Sequence, residues 1–143
     1  MYLLLDDIIN DEIKEYLLTQ TGINKVEIKK ENFKTEINIT YDSNISPLII
    51  MKYINLFTQS NLPLLLEFNK GLKTKNKKLK YIVNDICCEY CYKSLIKNLF
   101  ENEFINSVKS NFDTYCSAFN IELEIEYTHY TENELIEIIK LNL

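Results

Sequence analysis

Three of the chain's four cysteines, Cys87, Cys88 and Cys91, fall within five positions. A thiolate is both a nucleophile and a soft-metal ligand, so such a cluster points to metal or redox chemistry. Tyr81-Ile82-Val83 precedes it and reads as a short strand. The segment from Tyr92 to Phe100 follows, with Leu95, Ile96, Leu99 and Phe100 at helical spacing. The thiols therefore belong where a strand turns into a helix. Backbone N–H groups at a helix start favour negative charge and lower a thiol's pKa. The i, i+3 spacing of Cys88 and Cys91 at that point lets both sulfurs converge on one ion.

Composition narrows the setting. At 143 residues the chain has room for one medium domain or two small ones, and 46% apolar residues are enough for a core. There is no apolar run of membrane-spanning length, so no membrane insertion is expected. The stretch Met1 to Asp7 lacks the basic start and long apolar centre of a signal peptide. A cytoplasmic protein is expected, where thiols stay reduced. All 16 basic residues are lysine and the net charge is −5, which argues against nucleic acid as a partner. With 2 glycines there is no Gly-rich phosphate loop. The single histidine, His129, has no evident nucleophile partner, and the carboxylates read as surface charge. No catalytic constellation is visible, and the chain is not expected to be an enzyme. Asp6, Asp7, Asp11 and Glu12 could be taken for a hard-metal site, but helix capping and solvation explain them more simply.

Taken in order, Tyr2 to Leu5 is a short strand. Asn10 caps a helix whose apolar face is Ile13, Tyr16 and Leu17, with Gly22 as its stop. Val26 and Ile28 alternate with charged residues in a strand, Glu31-Asn32-Phe33 turns, and Ile37, Ile39 and Tyr41 alternate in the return. Ser46 and Pro47 open a second helix through Ile50, Met51, Ile54 and Phe57. Leu64 to Phe68 is a strand. The segment Asn69 to Lys80 carries six lysines and no acid, between flanks in which acids outnumber lysines. It reads as a solvated linker, with a polybasic contact to an acidic partner as the sharper alternative. The order then restarts: strand Tyr81 to Val83, helix Tyr92 to Glu103, strand through Val108, Ser110 and Phe112, and strand through Ile121, Leu123, Ile125 and Tyr127. A last helix opens on a Thr131/Glu134 capping box. Gly22-Ile23-Asn24-Lys25-Val26 echoes Phe104-Ile105-Asn106-Ser107-Val108, and Ile37-Asn38-Ile39-Thr40-Tyr41 echoes Leu123-Glu124-Ile125-Glu126-Tyr127. An internal repeat of about 80 residues fits these echoes better than one domain.

Strand–helix–strand–strand–helix–strand is the ferredoxin-like split βαβ pattern. With cysteines at its first strand-to-helix turn, the second half resembles the heavy-metal-associated (HMA) domain. That family includes copper chaperones, the mercury-binding periplasmic protein and the N-terminal modules of metal-pumping ATPases. Its motif Gly-Met-x-Cys-x-x-Cys is matched by Asp85-Ile86-Cys87-Cys88-Glu89-Tyr90-Cys91. The resemblance puts Cys88 and Cys91 on the family's metal ligands. Ile86 stands for the buried methionine, Asp85 for glycine, and Cys87 takes the variable position. It covers residues 80–143, and residues 1–68 by layout only, since these hold no cysteine or histidine.

The expectation is an α+β chain of two tandem ferredoxin-like (βαββαβ) domains. Residues 1–69 form a domain without metal ligands, 70–79 a Lys-rich linker, and 80–143 an HMA-like metal-binding domain lacking most of its last strand. The expected function is soft heavy-metal binding and transfer by a metallochaperone-like protein. The alternatives are a protein-interaction scaffold of degenerate HMA-like domains and, for the thiols alone, disulfide exchange. Cu(I) suits two thiolates in near-linear geometry, whereas Zn(II) or another soft metal would draw on further ligands, for which Cys87 and Cys116 are the candidates. In the ferredoxin-like layout Cys116 lies near the hairpin at the thiol end and His129 at the opposite end. Tyr90 and Tyr92 read as partly buried packing with wet hydroxyls, or as a shield for the thiols. The expected partner is a metal-donor or metal-acceptor protein. With only Leu141-Asn142-Leu143 after the last helix, residues 80–85 should form a sheet edge, covered by a strand of the first domain or of a second copy in a homodimer.

Overall fold

The computed structural model describes residues 1–59, 63–84, 86–112 and 120–143. These divide into two compact units, Met1–Leu65 and Leu66–Leu143. Seven antiparallel-paired strands and four helices are present among the described residues. No helix is long and apolar enough to cross a membrane.

In the first unit the order is β1 (Tyr2–Leu5), α1 (Glu12–Leu18), β2 (Ile23–Glu31), β3 (Lys34–Tyr41) and α2 (Pro47–Phe57). Strand β3 lies between β2 and β1, antiparallel to both. Leu3, Leu5, Val26, Ile37 and Ile39 from the strands are buried, as are Ile13, Leu17, Ile50 and Ile54 from the helices. The period-2 and period-3.6 patterns thus meet in one core. The Ser46 hydroxyl accepts the Leu48 N–H at 3.3 Å, with Pro47 in the first turn, as expected. Helix α1 stops earlier than expected. Its C-cap is Thr19, whose hydroxyl donates to the Tyr16 carbonyl at 2.6 Å. Gly22 instead serves the approach to β2, at φ +84°, where an added Cβ would fall 1.5 Å from Ile45 Cδ1. The β2–β3 turn puts both Asn32 (φ 52°) and Phe33 (φ 61°) in the left-handed region.

In the second unit β4 (Leu65–Asn69) leads to β5 (Lys77–Val83), α3 (Glu89–Glu101), β6 (Ile105–Ser110), β7 (Ile121–Tyr127) and α4 (Glu132–Leu141). The strand order is β4-β6-β7-β5. Strand β4, expected to serve the first half, aligns Phe68 with Val108 and Asn69 with Ser107 of β6. Strand β5 begins at Lys77, inside the segment read as linker. Its lysines reach β7, with Lys78 3.9 Å from Glu126 and Lys80 3.1 Å from Glu124. Lys70, from the same segment, is 2% exposed. Its ammonium donates to the Asn102 carbonyl at 2.7 Å, 5.1 Å from the Phe100 ring centroid. Burial pushes its pKa down to about 8, against a smaller upward pull from Glu103. The Thr131/Glu134 capping box is present. No described residue after α4 forms a strand. Among the described residues β5 pairs with β7 alone, and no described strand covers its outer edge.

The two halves share a detail of register. Ile23 opposes Tyr41 and Val26 opposes Ile39, with a bulge between Ile23 and Lys25. Ile105 opposes Tyr127 and Val108 opposes Ile125, with a bulge between Ile105 and Ser107. Asn24 and Asn106 are the residues between, so the sequence echo corresponds to one irregularity occurring twice.

Candidate metal centre

The cluster follows from how β5 is joined to α3. Ile86, just before the cysteines, is 5% exposed, and Tyr92 is fully buried on the first turn of α3. Between these apolar anchors the cysteines are left near solvent, Cys87 and Cys88 exposed and Cys91 half-buried. Cys88 is extended (φ −161°) and is the N-cap of α3, which makes Cys91 the third helical residue. N-cap and third residue are the two positions that a capping box links, each side chain accepting the other residue's backbone N–H. Thr131 and Glu134 use that geometry in α4, and Cys88 and Cys91 occupy the same pair of positions in α3. The expected helix start at Tyr92 is therefore three residues late.

The sulfurs converge. Cys88 Sγ lies 3.7 Å from Cys91 Sγ, Cys87 Sγ 3.3 Å from Cys91 Sγ, and Cys87 Sγ 4.0 Å from Cys88 Sγ. This is the one group among the described residues with three ligand atoms gathered for an ion. The Cys88 pKa is lowered, chiefly because the backbone N–H of Cys91 faces its sulfur, with help from the Cys91 thiol and the Tyr90 N–H. Neither N–H makes a cap bond of full geometry. Cys87 is pushed up to about 11, because its thiol is shared in hydrogen bonds with Cys91 and then Cys88. Cys88 is thus the first of the two to ionise.

Cys116 and Asp85 lie outside the described residues. Ile121 opposes Val83 at the thiol end of β5. His129 follows Tyr127, which opposes Lys77 at the other end. It is exposed, stacked on Phe104 at 4.4 Å, with Nδ1 2.9 Å from the Thr128 hydroxyl. Asp7 accepts the Ile8 N–H and Asp11 pairs with Lys30 at 2.7 Å. Asn10 accepts the Glu12 N–H.

Tyr90 is 74% exposed and carries no bond that would hold it over the thiols. Tyr92 is not the wet tyrosine expected. Its hydroxyl donates to the Leu66 carbonyl at 2.6 Å and meets the Ser110 hydroxyl, while its ring stacks on Phe112 at 4.1 Å. Sequence reasoning missed this anchor because its partners, Leu66 and Ser110, are distant along the chain. The local signal was only a tyrosine on the apolar face of α3.

No protein-family model matches the chain, and no curated protein matches it. Among solved structures the chain is similar to the N-terminal soluble domains of CopA from Bacillus subtilis. The identity is 12% over 98% of this chain and 87% of that one, with a TM-score of 0.35. A likeness this slight carries no weight in the chemistry that follows.

Proposed function

We propose that the protein binds a soft metal ion through Cys88 and Cys91 and passes it to another protein, as a cytoplasmic, non-enzymatic metallochaperone. The observation that carries this reading is the convergence of the two sulfurs, 3.7 Å apart, from the N-cap and third residue of α3. Two thiolates so held suit a soft ion, and Cu(I) is satisfied by two thiolates once the sulfurs part to ~4.6 Å in a line across it. The partner is a metal-donor or metal-acceptor protein. Transfer is ligand exchange: an incoming thiolate of the partner binds the ion and displaces Cys88 or Cys91. The exposure of Cys88 supports access by such a thiolate.

The same reading takes each half as a ferredoxin-like module. The repeated order strand–helix–strand–strand–helix supports it, as does the central place of β3 in one unit and β7 between β6 and β5 in the other. The shared bulge at Asn24 and Asn106 supports it further. The first module holds no cysteine or histidine and would be a stabilising or partner-binding companion. That absence also favours a second reading, a protein-interaction scaffold, but the scaffold leaves the converging thiols without a role.

The deciding experiment is Cu(I) titration of the reduced protein in competition with a chelator. One ion per chain is expected, with binding lost in the Cys88→Ser, Cys91→Ser variant. Equal affinity in that variant would end the metal reading.

A further inference from the structure

We propose that Cys87 is a third ligand of this site. Cys87, Cys88 and Cys91 then form a three-thiolate face for a thiophilic divalent ion of the zinc or cadmium class, with a fourth position open. The inference rests on the soft-metal reading of Cys88 and Cys91 and names the ion class that the site takes once Cys87 joins them.

The sulfur triangle carries it. Its edges are 3.3, 3.7 and 4.0 Å. Two sulfurs placed in a line across one ion stand about twice a metal–sulfur bond apart, ~4.6 Å, and every edge here is shorter. A tetrahedral ion with bonds of ~2.3 Å to sulfur sets neighbouring sulfurs ~3.8 Å apart, in the middle of these edges. The centre of the triangle is about 2.1 Å from each sulfur, and an ion raised about 0.8 Å from that plane regains the ~2.3 Å bond. That height is the height of a tetrahedral centre above three of its corners. An ion seated on Cys88 and Cys91 in this way is within bonding reach of Cys87.

Charge points the same way. Three thiols give up their protons to solvent on binding, and a divalent ion cancels all but one of the resulting charges. A monovalent ion would leave two, beside Glu89 in the first turn of the helix. The exposure of Cys87 and Cys88 leaves room for the fourth ligand, a water at rest and a partner's thiolate during exchange.

The test is a Cd(II) titration of the full-length reduced protein under exclusion of oxygen, read by thiolate-to-cadmium absorption in the near ultraviolet. Its intensity follows the number of bound thiolates. We expect one ion per chain, and in Cys87→Ser and Cys87→Ala a loss of about one third of the absorption with at least tenfold weaker Cd(II) binding. Either variant keeping full absorption and affinity overturns the third ligand. If Cys88→Ser, Cys91→Ser then still abolishes binding, the soft-metal reading survives that failure. A wild-type protein that shows no cadmium band overturns the inference directly, and Cu(I) binding by the same sample decides the soft-metal reading separately.

Discussion

The hydroxyl of Tyr92 donates to the carbonyl of Leu66 at 2.6 Å, joining the first turn of α3 to β4. The Ser110 hydroxyl meets the same oxygen and itself accepts the Phe112 N–H at 3.2 Å. The result is a buried relay in which each polar group has a partner. Tyr92→Phe keeps the ring and its stacking but strips the Leu66 carbonyl of this donor. We expect a loss of about 1–2 kcal/mol in unfolding free energy, read from the denaturant midpoint. A midpoint unchanged from wild type would mean that the hydroxyl does not hold α3 to the sheet.

The cysteines should differ in reactivity. Alkylation proceeds through the thiolate, and the Cys88 pKa lies below that of Cys87, itself pushed up to about 11. Limiting iodoacetamide near neutral pH should label Cys88 well ahead of Cys87, as read by peptide mass spectrometry. Preferential labelling of Cys87 would contradict the N-cap electrostatics.

Lys70 predicts an unusual pH dependence. In the unfolded chain a lysine keeps its proton to about 10.5, whereas in the fold Lys70 releases it at about 8. Between those values the unfolded chain binds more protons, so this group makes stability rise as pH rises from about 8 to 10.5, by roughly 1–3 kcal/mol in full. Lys70→Met keeps the aliphatic packing and should remove this rise. Chemical denaturation at several pH values measures it, and an identical slope in both proteins would place the effect elsewhere.

Phe33 is 78% exposed at φ 61°, a conformation that suits glycine in a two-residue hairpin turn. Phe33→Gly should raise stability by about 0.5–1.5 kcal/mol in thermal unfolding. A destabilised variant would show that the ring makes a contact stronger than the strain it carries.

Much of this architecture is legible in the residues themselves. The Ser46–Pro47 and Thr131–Glu134 starts are local chemistry, and the Ile-Asn-x-Val echo marks a bulge that recurs in register. What escaped was non-local. The lysines at 77, 78 and 80 look like a linker until β7 stands opposite them, with Tyr127 across from Lys77, Glu126 from Lys78 and Glu124 from Lys80. Lys70 looks solvated because its companions Phe100 and Asn102 are some thirty residues away. The start of α3 at Glu89 was hidden because Glu89, Tyr90 and Cys91 carry no apolar period, and the extended backbone of Cys88 sets the cap. The thiol pair was legible from spacing, whereas the closeness of Cys87 to Cys91 required the cap geometry.

The side of β5 that no described strand covers has a practical consequence for concentrated solutions. If two molecules met rim to rim about Lys80, each Lys80 would face its counterpart, and like charges directly opposite are unfavourable. The Lys80–Glu124 and Lys78–Glu126 pairs soften that repulsion only in part, since both ammonium groups remain largely in water. Added salt shortens the reach of the remaining repulsion to a few ångströms near 1 M. Stocks of the protein should therefore stay dispersed longest in dilute buffer and begin to cluster along this rim as ionic strength climbs.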